Sequence, residues 1–290
     1  MRQFSAGFLN DNGGPMWWDH AMKPSQLLEC LASDQARLRE VAAIDLTAPV
    51  PTCPGWTVAD LVLHVAKVYL HKSECIRQLA FPDPWPVELA TDDPIGALDR
   101  CFAELTDRLA AHQPGDPAYT WYGPDQTVGF WIRRMAHETA IHRVDAERAL
   151  GVPPAPIRTD LAEDGIDEML TLFVGYGSME WPDEFAAVRA AAVGTSHRVD
   201  SPAGSWLVRV GADGATVTPT VTPTVTTSAT PTGPADGTGD DGPMIDSTVR
   251  GPAGPLLLWL WNRGDASELT ITGAQPAVAE LRAFLTAGAS

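Results

Sequence analysis

The sequence predicts two classes of structure in series, an all-helical domain over residues 24–180 and a small α+β domain over residues 181–290. Three observations support this reading. Apolar residues recur at three- and four-residue spacing from Ser25 to Phe173, the period of amphipathic helices. Alternation with a period of two begins only at Trp206 to Val210. The length, 290 residues with 44% hydrophobic content, suits one large or two medium domains that bury a sizeable core.

Residues 1–23, with Gly7, Asn10, Asn12, Gly13, Gly14 and Pro15, read as an irregular arm. From Ser25 to about Ala43, Leu27, Leu28, Leu31, Leu38 and Val41 mark a first helix. Cys53-Pro54-Gly55-Trp56 is a turn, and Thr57 with Asp60 resembles a capping box opening a second helix, whose stripe Val58, Leu61, Val65, Val68 runs toward Leu79. A third covers about Pro94 to His112, and a fourth runs from near Thr127 to Leu150, stopped by Gly151 and two prolines. A fifth extends from Asp160 to about Phe173.

In the second domain, Trp206, Val208 and Val210 precede a Gly-Ala-Asp-Gly turn and Ala215 to Thr218, which together read as a hairpin. The Thr-Val-Thr-Pro repeats and the Gly/Asp-rich stretch after them predict a disordered insertion over about 219–243, because Pro219, Pro223 and Pro231 cannot donate to a ladder. A strand near Ser247 to Arg250, a helix from Pro252 to Trp261, a strand Glu268 to Thr272 and a helix Ala274 to Leu285 complete the domain.

The 20 Lys and Arg against 37 Asp and Glu leave a net charge of −17, which opposes attraction to a phosphate backbone and argues against a nucleic-acid partner. The longest apolar run, Leu256 to Trp261, is far short of the roughly 20 residues that span a bilayer, so no membrane partner is expected. Without a secretory leader, and with Cys30, Cys53, Cys75 and Cys101 widely spaced, the chain reads as a cytoplasmic protein with reduced thiols.

The fourth helix carries the strongest chemical signal, in the run from Arg133 to Asp145. At ~100° per residue, Glu138, His142 and Asp145 fall on one stripe with Trp131, Met135 and Ile141, while Arg133, Arg143 and Glu147 point the other way. Ionisable groups on an apolar stripe need partners, since a buried unpaired charge is costly. His137 and His142 stand about 140° apart and cannot chelate one ion together. Glu138 with His142 can, and His64, at the edge of the second helix's apolar face, is the natural third donor. Such a set matches a three-ligand metal site with a fourth position open for water or a thiolate. Asp145 would orient His142 or act as a base.

The same residues also fit a structural network in which Glu138, His142 and Asp145 pair with Arg134 and Arg148 around a core-edge His64. Cys53 is a further candidate donor or a small buried hydrophobe. Cys30, Cys75 and Cys101 read as core; His20, His71, His112 and His197 as surface residues; Trp259 and Trp261 as core.

The segment Cys53 to His64, Cys-Pro-Gly-Trp-Thr-Val-Ala-Asp-Leu-Val-Leu-His, and the segment Arg134 to Ala146, Arg-Met-Ala-His-Glu-Thr-Ala-Ile-His-Arg-Val-Asp-Ala, resemble the mycothiol-dependent maleylpyruvate isomerase family of actinobacteria. Val249 to Arg263 resembles that family's closing segment, so the likeness covers about Met22 to Leu285. It implies a DinB-like four-helix bundle followed by a sterol-carrier-like α+β domain. It places the family's metal ligands on His64, Glu138 and His142, and its C-terminal arginine on Arg263, with Arg250 as competitor.

The cofactors implied are a divalent metal, usually Zn2+, and mycothiol; the partners are that low-molecular-weight thiol and a small-molecule substrate. A metal-bound thiolate would add to a conjugated double bond, with rotation and loss of the thiol giving cis-trans isomerisation, while Arg263 would bind both cofactor and substrate carboxylate. The same apparatus would serve a mycothiol S-transferase or thiol-exchange enzyme, and a non-catalytic metal or thiol binding module is the remaining alternative.

Overall fold

A proline and three polar caps set where the bundle helices begin. Pro24 opens α1 (Pro24–Ala42) at the one position where its missing N–H costs nothing. At the start of α2 (Val58–Gln78), Thr57 Oγ1 accepts from the Asp60 amide at 3.3 Å while Asp60 Oδ2 accepts from the Thr57 amide at 2.9 Å, the reciprocal pair the sequence anticipates. Asp93 caps α3 (Pro94–Ala110) by accepting from Gly96 N at 2.8 Å, and Thr127 caps α4 (Val128–Ala149) by accepting from Phe130 N at 3.3 Å. Gly151, at φ +65°, ends α4 in the left-handed region that glycine enters without strain.

This computed structural model describes residues 22–85, 89, 93–220 and 244–289. The chain divides into two units, Met1–Asp164 and Gly165–Ser290. Residues 1–21 of the expected arm, His20 among them, and residues 221–243 of the expected Thr/Pro insertion lie outside the described residues.

In the first unit α1 packs on α4, and α2 packs on both α3 and α4. Leu31, Leu38, Leu61, Val65, Tyr69, Leu98, Leu105 and Trp131 fill the interior. One expectation is overturned here: α4 has no solvent face. Arg133, Arg143 and Glu147, placed by periodicity on an outward side, are 6%, 1% and 0% exposed. They are neutralised where they stand. Arg133 Nε and His137 Nε2 meet Asp164 Oδ1 at 2.6 and 2.7 Å. Arg143 donates to Asp34 and Glu147 at 3.0 and 2.8 Å, and Arg37 Nε reaches Glu147 at 3.0 Å. Helical periodicity reads charge as exposure, and intramolecular ion pairs break that equation.

The chain stays helical from Thr159 to Glu180, as α5 (Thr159–Glu168), a π-helical stretch (Met169–Tyr176) and α6 (Gly177–Glu180), and α7 (Pro182–Ala191) follows. The second unit's sheet has strands β1 (Thr195–Asp200), β2 (Ser205–Gly211), β3 (Gly214–Thr220), β4 (Ser247–Arg250) and β5 (Thr270–Gly273), in the order β3-β2-β1-β4-β5. Only the β1/β4 pair is parallel; Val199 stands opposite Trp206 on one side and Val249 on the other. Helices α8 (Ala253–Leu260) and α9 (Gln275–Gly288) complete the unit, whose core includes Phe185, Val199, Val208, Val249, Leu256, Leu281 and Phe284.

The helical-bundle-plus-α+β class is therefore correct, with local corrections. Strand β1 and helix α7 have no counterpart in the sequence reading. Strand β3 runs through Pro219, opposite Trp206, where the insertion was expected to have begun. An edge strand tolerates a residue without an N–H, and β3 is an edge. His197, expected at the surface, is fully buried in β1, its Nδ1 2.8 Å from Ser247 Oγ and its Nε2 2.7 Å from Thr195 Oγ1.

Candidate metal centre

The candidate donors sit on two neighbouring helices of the first unit. His64 lies two turns into α2, and Glu138 and His142 one turn apart on α4. The Nε2 atoms of both histidines stand 3.2 Å from the same oxygen, Glu138 Oε1. The two rings meet edge to face, centroids 5.0 Å apart, and one donor atom from each of the three residues falls within 4.8 Å of the others. Trp56 flanks His64 at 4.9 Å between centroids.

Access is graded across the cluster. The His64 side chain is 37% exposed, Glu138 and His142 are 13% and 11%, and Asp145 is 0%. His64 is therefore the solvent-facing edge of the cluster.

Two further groups fix the inner donors. Asp145 Oδ2 stands 3.0 Å from His142 Nδ1, so a neutral His142 that donates from Nδ1 would present its Nε2 lone pair to a ligand. Thr52 Oγ1 in turn donates to Asp145 Oδ1 at 2.6 Å. Arg134 pairs with Glu138 through the other carboxylate oxygen, Oε2. This ion pair belongs to the expected structural network, and it leaves Oε1 directed at the histidines.

The electrostatics follow from this crowding. Burial opposes ionisation of Glu138, but His142 and Arg134 beside it, with hydrogen bonds from both histidines, hold its carboxyl well below the usual carboxylate range. Burial likewise disfavours a charged His142, yet Glu138 and Asp145 push it up to about 9. Two imidazoles and a carboxylate are the donor set of a catalytic zinc site with one open position.

Cys53 and Thr52 occupy the turn before α2. Cys53 Sγ lies 3.9 Å from Asp145 Oδ2, and Cys53, His142 and Asp145 form a second group whose donor atoms fall within 4.8 Å. This second group uses His142 Nδ1, which Asp145 already engages, so it is the weaker ligand set. The sequence reading missed Thr52, and only its place next to Cys53 would have pointed to it.

Arg263 belongs to the second unit, just after α8; its amide donates to Leu258 O at 2.7 Å and its Nη1 to Trp261 O at 2.8 Å. Arg250, its competitor, is ion-paired with Asp200 at 2.9 Å. His71, expected as a plain surface residue, is half-buried and lies 3.1 Å from Lys72 Nζ and 3.4 Å from Cys75 Sγ.

Comparison with known proteins agrees with the resemblance seen in the sequence. The profile for the mycothiol maleylpyruvate isomerase N-terminal domain matches residues 28–147, and that for the family's C-terminal domain matches residues 160–280. Two crystal structures of a mycothiol-dependent maleylpyruvate isomerase, one of a single-residue variant, share the fold. Each has a TM-score of 0.56 and covers 87% of this chain and 94% of its own, at 13% identity for the parent and 12% for the variant. No curated protein matches the chain. No helix among the described residues is long and apolar enough to cross a membrane.

Proposed function

The chain belongs to the mycothiol maleylpyruvate isomerase family, and from that premise we propose that it is a metal-dependent enzyme using a low-molecular-weight thiol, mycothiol, on a small unsaturated or otherwise electrophilic substrate. The observation that carries this reading is the convergence of His64 Nε2, His142 Nε2 and Glu138 Oε1 at the rim of a bundle. Structural ion pairs do not need two imidazole nitrogens on one carboxylate oxygen; a tetrahedral ion such as Zn2+ with an open fourth position does.

In this reading His64 and His142 bind through Nε2 and Glu138 through Oε1. Asp145 holds His142 in the tautomer that leaves Nε2 unprotonated, and Thr52 holds Asp145. Arg134 keeps Glu138 ionised and fixes its second oxygen. When bound there, the ion lowers the pKa of a coordinated thiol and so supplies a thiolate at neutral pH for addition to an electrophilic carbon. Arg263 is the proposed carboxylate anchor, as a guanidinium fork suits that group. Such addition, followed by rotation and loss of the thiol, is isomerisation; without loss it is S-transfer.

The test is the metal content of purified protein after dialysis, wild type beside His64→Ala, followed by turnover assays with mycothiol. One ion per wild-type chain, lost in the variant, with thiol-dependent turnover of a cis diacid or an electrophile, is the expected result. Stoichiometric absence of metal from fresh wild type overturns the site. Metal without thiol-dependent turnover of either substrate class leaves a binding module and overturns the enzyme.

A further inference from the structure

Beyond the donor set, the same strip of the bundle holds a cation, Lys72, for which no acidic partner lies among the described residues. Residues His64, Val68 and His71 lie along one stripe of α2, with Lys72 beside it, and Glu138, Arg134 and Trp131 lie along the facing stripe of α4, at about 100° per residue. Lys72 follows His64 by eight residues, about 12 Å along the axis. Its Nζ donates to His71 Nδ1 at 3.1 Å and stands 4.8 Å above the Trp131 ring. Among the described residues no carboxylate lies within ion-pair distance of it.

That placement is expensive. A half-buried ammonium normally takes a carboxylate. Here burial lowers the Lys72 pKa to about 8 and the Arg134 charge adds to that, while Cys75 and the Glu138 carboxylate act the other way. His71, held near 4 by burial and by Lys72, is neutral and can only accept this bond. An imidazole and a ring face satisfy part of the ammonium and leave N–H groups for an anion from outside.

The neighbouring surface says what the anion is attached to. His71 meets the edges of Phe81 and Trp85 at centroid distances of 5.3 and 4.6 Å, and Phe81 meets Tyr119 at 6.3 Å. Phe81 is 55% exposed, an aromatic left at the surface against His71, which holds the Lys72 ammonium. Exposed aromatic area next to a charge is the composition of a ligand site.

We propose that Lys72, with the aromatic surface of His71, Phe81 and Trp85, is a binding subsite for the carboxylate end of a substrate whose body is flat and unsaturated. The proposal deepens the thiol-dependent reading and rests on it for the chemistry at the donor set. It also sets a scale: the two ends of the strip are eight residues of helix apart, about 12 Å along the axis, longer than a four-carbon diacid.

The experiment measures binding of cinnamate and its uncharged amide, cinnamamide, by tryptophan fluorescence and equilibrium dialysis on the full chain, metal-loaded and after chelator treatment. Wild type is expected to bind cinnamate roughly ten- to a hundredfold more tightly than cinnamamide, the range of a charge-assisted hydrogen bond. Lys72→Met is expected to abolish that difference while leaving cinnamamide binding intact, and Lys72→Arg to retain most of it. Chelator treatment should leave the difference in place, because the cation belongs to the chain. No saturable binding of cinnamate by wild type overturns the subsite, as does a Lys72→Met protein that discriminates like wild type. Discrimination that disappears in wild type on metal removal also overturns it, since the carboxylate is then on the ion. A wild-type chain that takes up no metal when it is supplied, yet still discriminates, fails the donor-set reading and leaves the subsite standing, so the two failures are distinguishable.

Discussion

Helix α4 carries ionisable side chains on opposite faces, and the two groups are satisfied differently. On one face Asp164 Oδ1 receives Arg133 and His137, and the two oxygens of Glu147 receive Arg37 and Arg143. On the other, two imidazole nitrogens point at the single oxygen Glu138 Oε1. Both faces are buried and both are charged, so burial and charge do not separate structure from function here; what differs is the groups that converge, mainly guanidinium donors without a lone pair on the first face and two imidazoles that can each offer one on the second.

The largest effect that separates them is on stability. Asp164→Asn leaves Arg133 buried without its counter-charge and is expected to cost about 3–5 kcal/mol, measured by denaturant unfolding, while metal content stays as in wild type. The pH dependence follows from the same pair. Burial opposes ionisation of Asp164, but Arg133 and His137 hold its carboxyl well below the ordinary 3.8. The folded value lies below the unfolded one, so the stabilisation is present above about pH 4 and is lost as pH falls toward the folded value. Wild type should therefore lose stability on acidification below pH 4, and Asp164→Asn should show a flatter slope there. Loss of metal in Asp164→Asn with stability unchanged would erase the distinction between the faces.

A smaller effect tests the site face. Asp145 touches His142 without belonging to the three converging donors. Asp145→Asn, which can no longer accept with a full charge from His142 Nδ1, is expected to weaken metal affinity by about 10- to 100-fold, measured by competition with a chelator. Unchanged affinity would return Asp145 to the structural class represented by Asp164.

Much of this contrast was legible in the sequence, and the illegible part has a common cause. Periodicity located α1 to α4 and put Glu138 and His142 on one stripe because side chains four residues apart share a face whatever they pack against. The partner His64 came from its place at an apolar edge. Periodicity failed where one element's environment is set by residues distant in the chain. Arg133, Arg143 and Glu147 looked solvent-facing because Asp164, Asp34 and Arg37, which neutralise them, lie 31, 109 and 110 residues away. His197 was misread for the same reason: its acceptor and donor, Thr195 and Ser247, satisfy both ring nitrogens only once β1 and β4 pair. Lys72 drew no notice, since a lysine in an amphipathic helix is ordinary until its neighbours prove to be rings and not carboxylates.

The smallest effect closes off another explanation for metal loss in His64 variants, namely that they fray α2. Thr57→Ala removes the hydroxyl that accepts from the Asp60 amide and is expected to cost about 1 kcal/mol. His64 stands seven residues beyond Thr57, two turns inside the helix, and end effects are confined to the first turn. The variant should therefore melt slightly lower and still carry stoichiometric metal. If instead a cap lesson of this size removes the ion, the donor set depends on the global stability of the bundle, and the two faces of α4 are coupled. If metal survives, its loss in His64→Ala reports a missing ligand, and the contrast between the two faces stands on local chemistry alone.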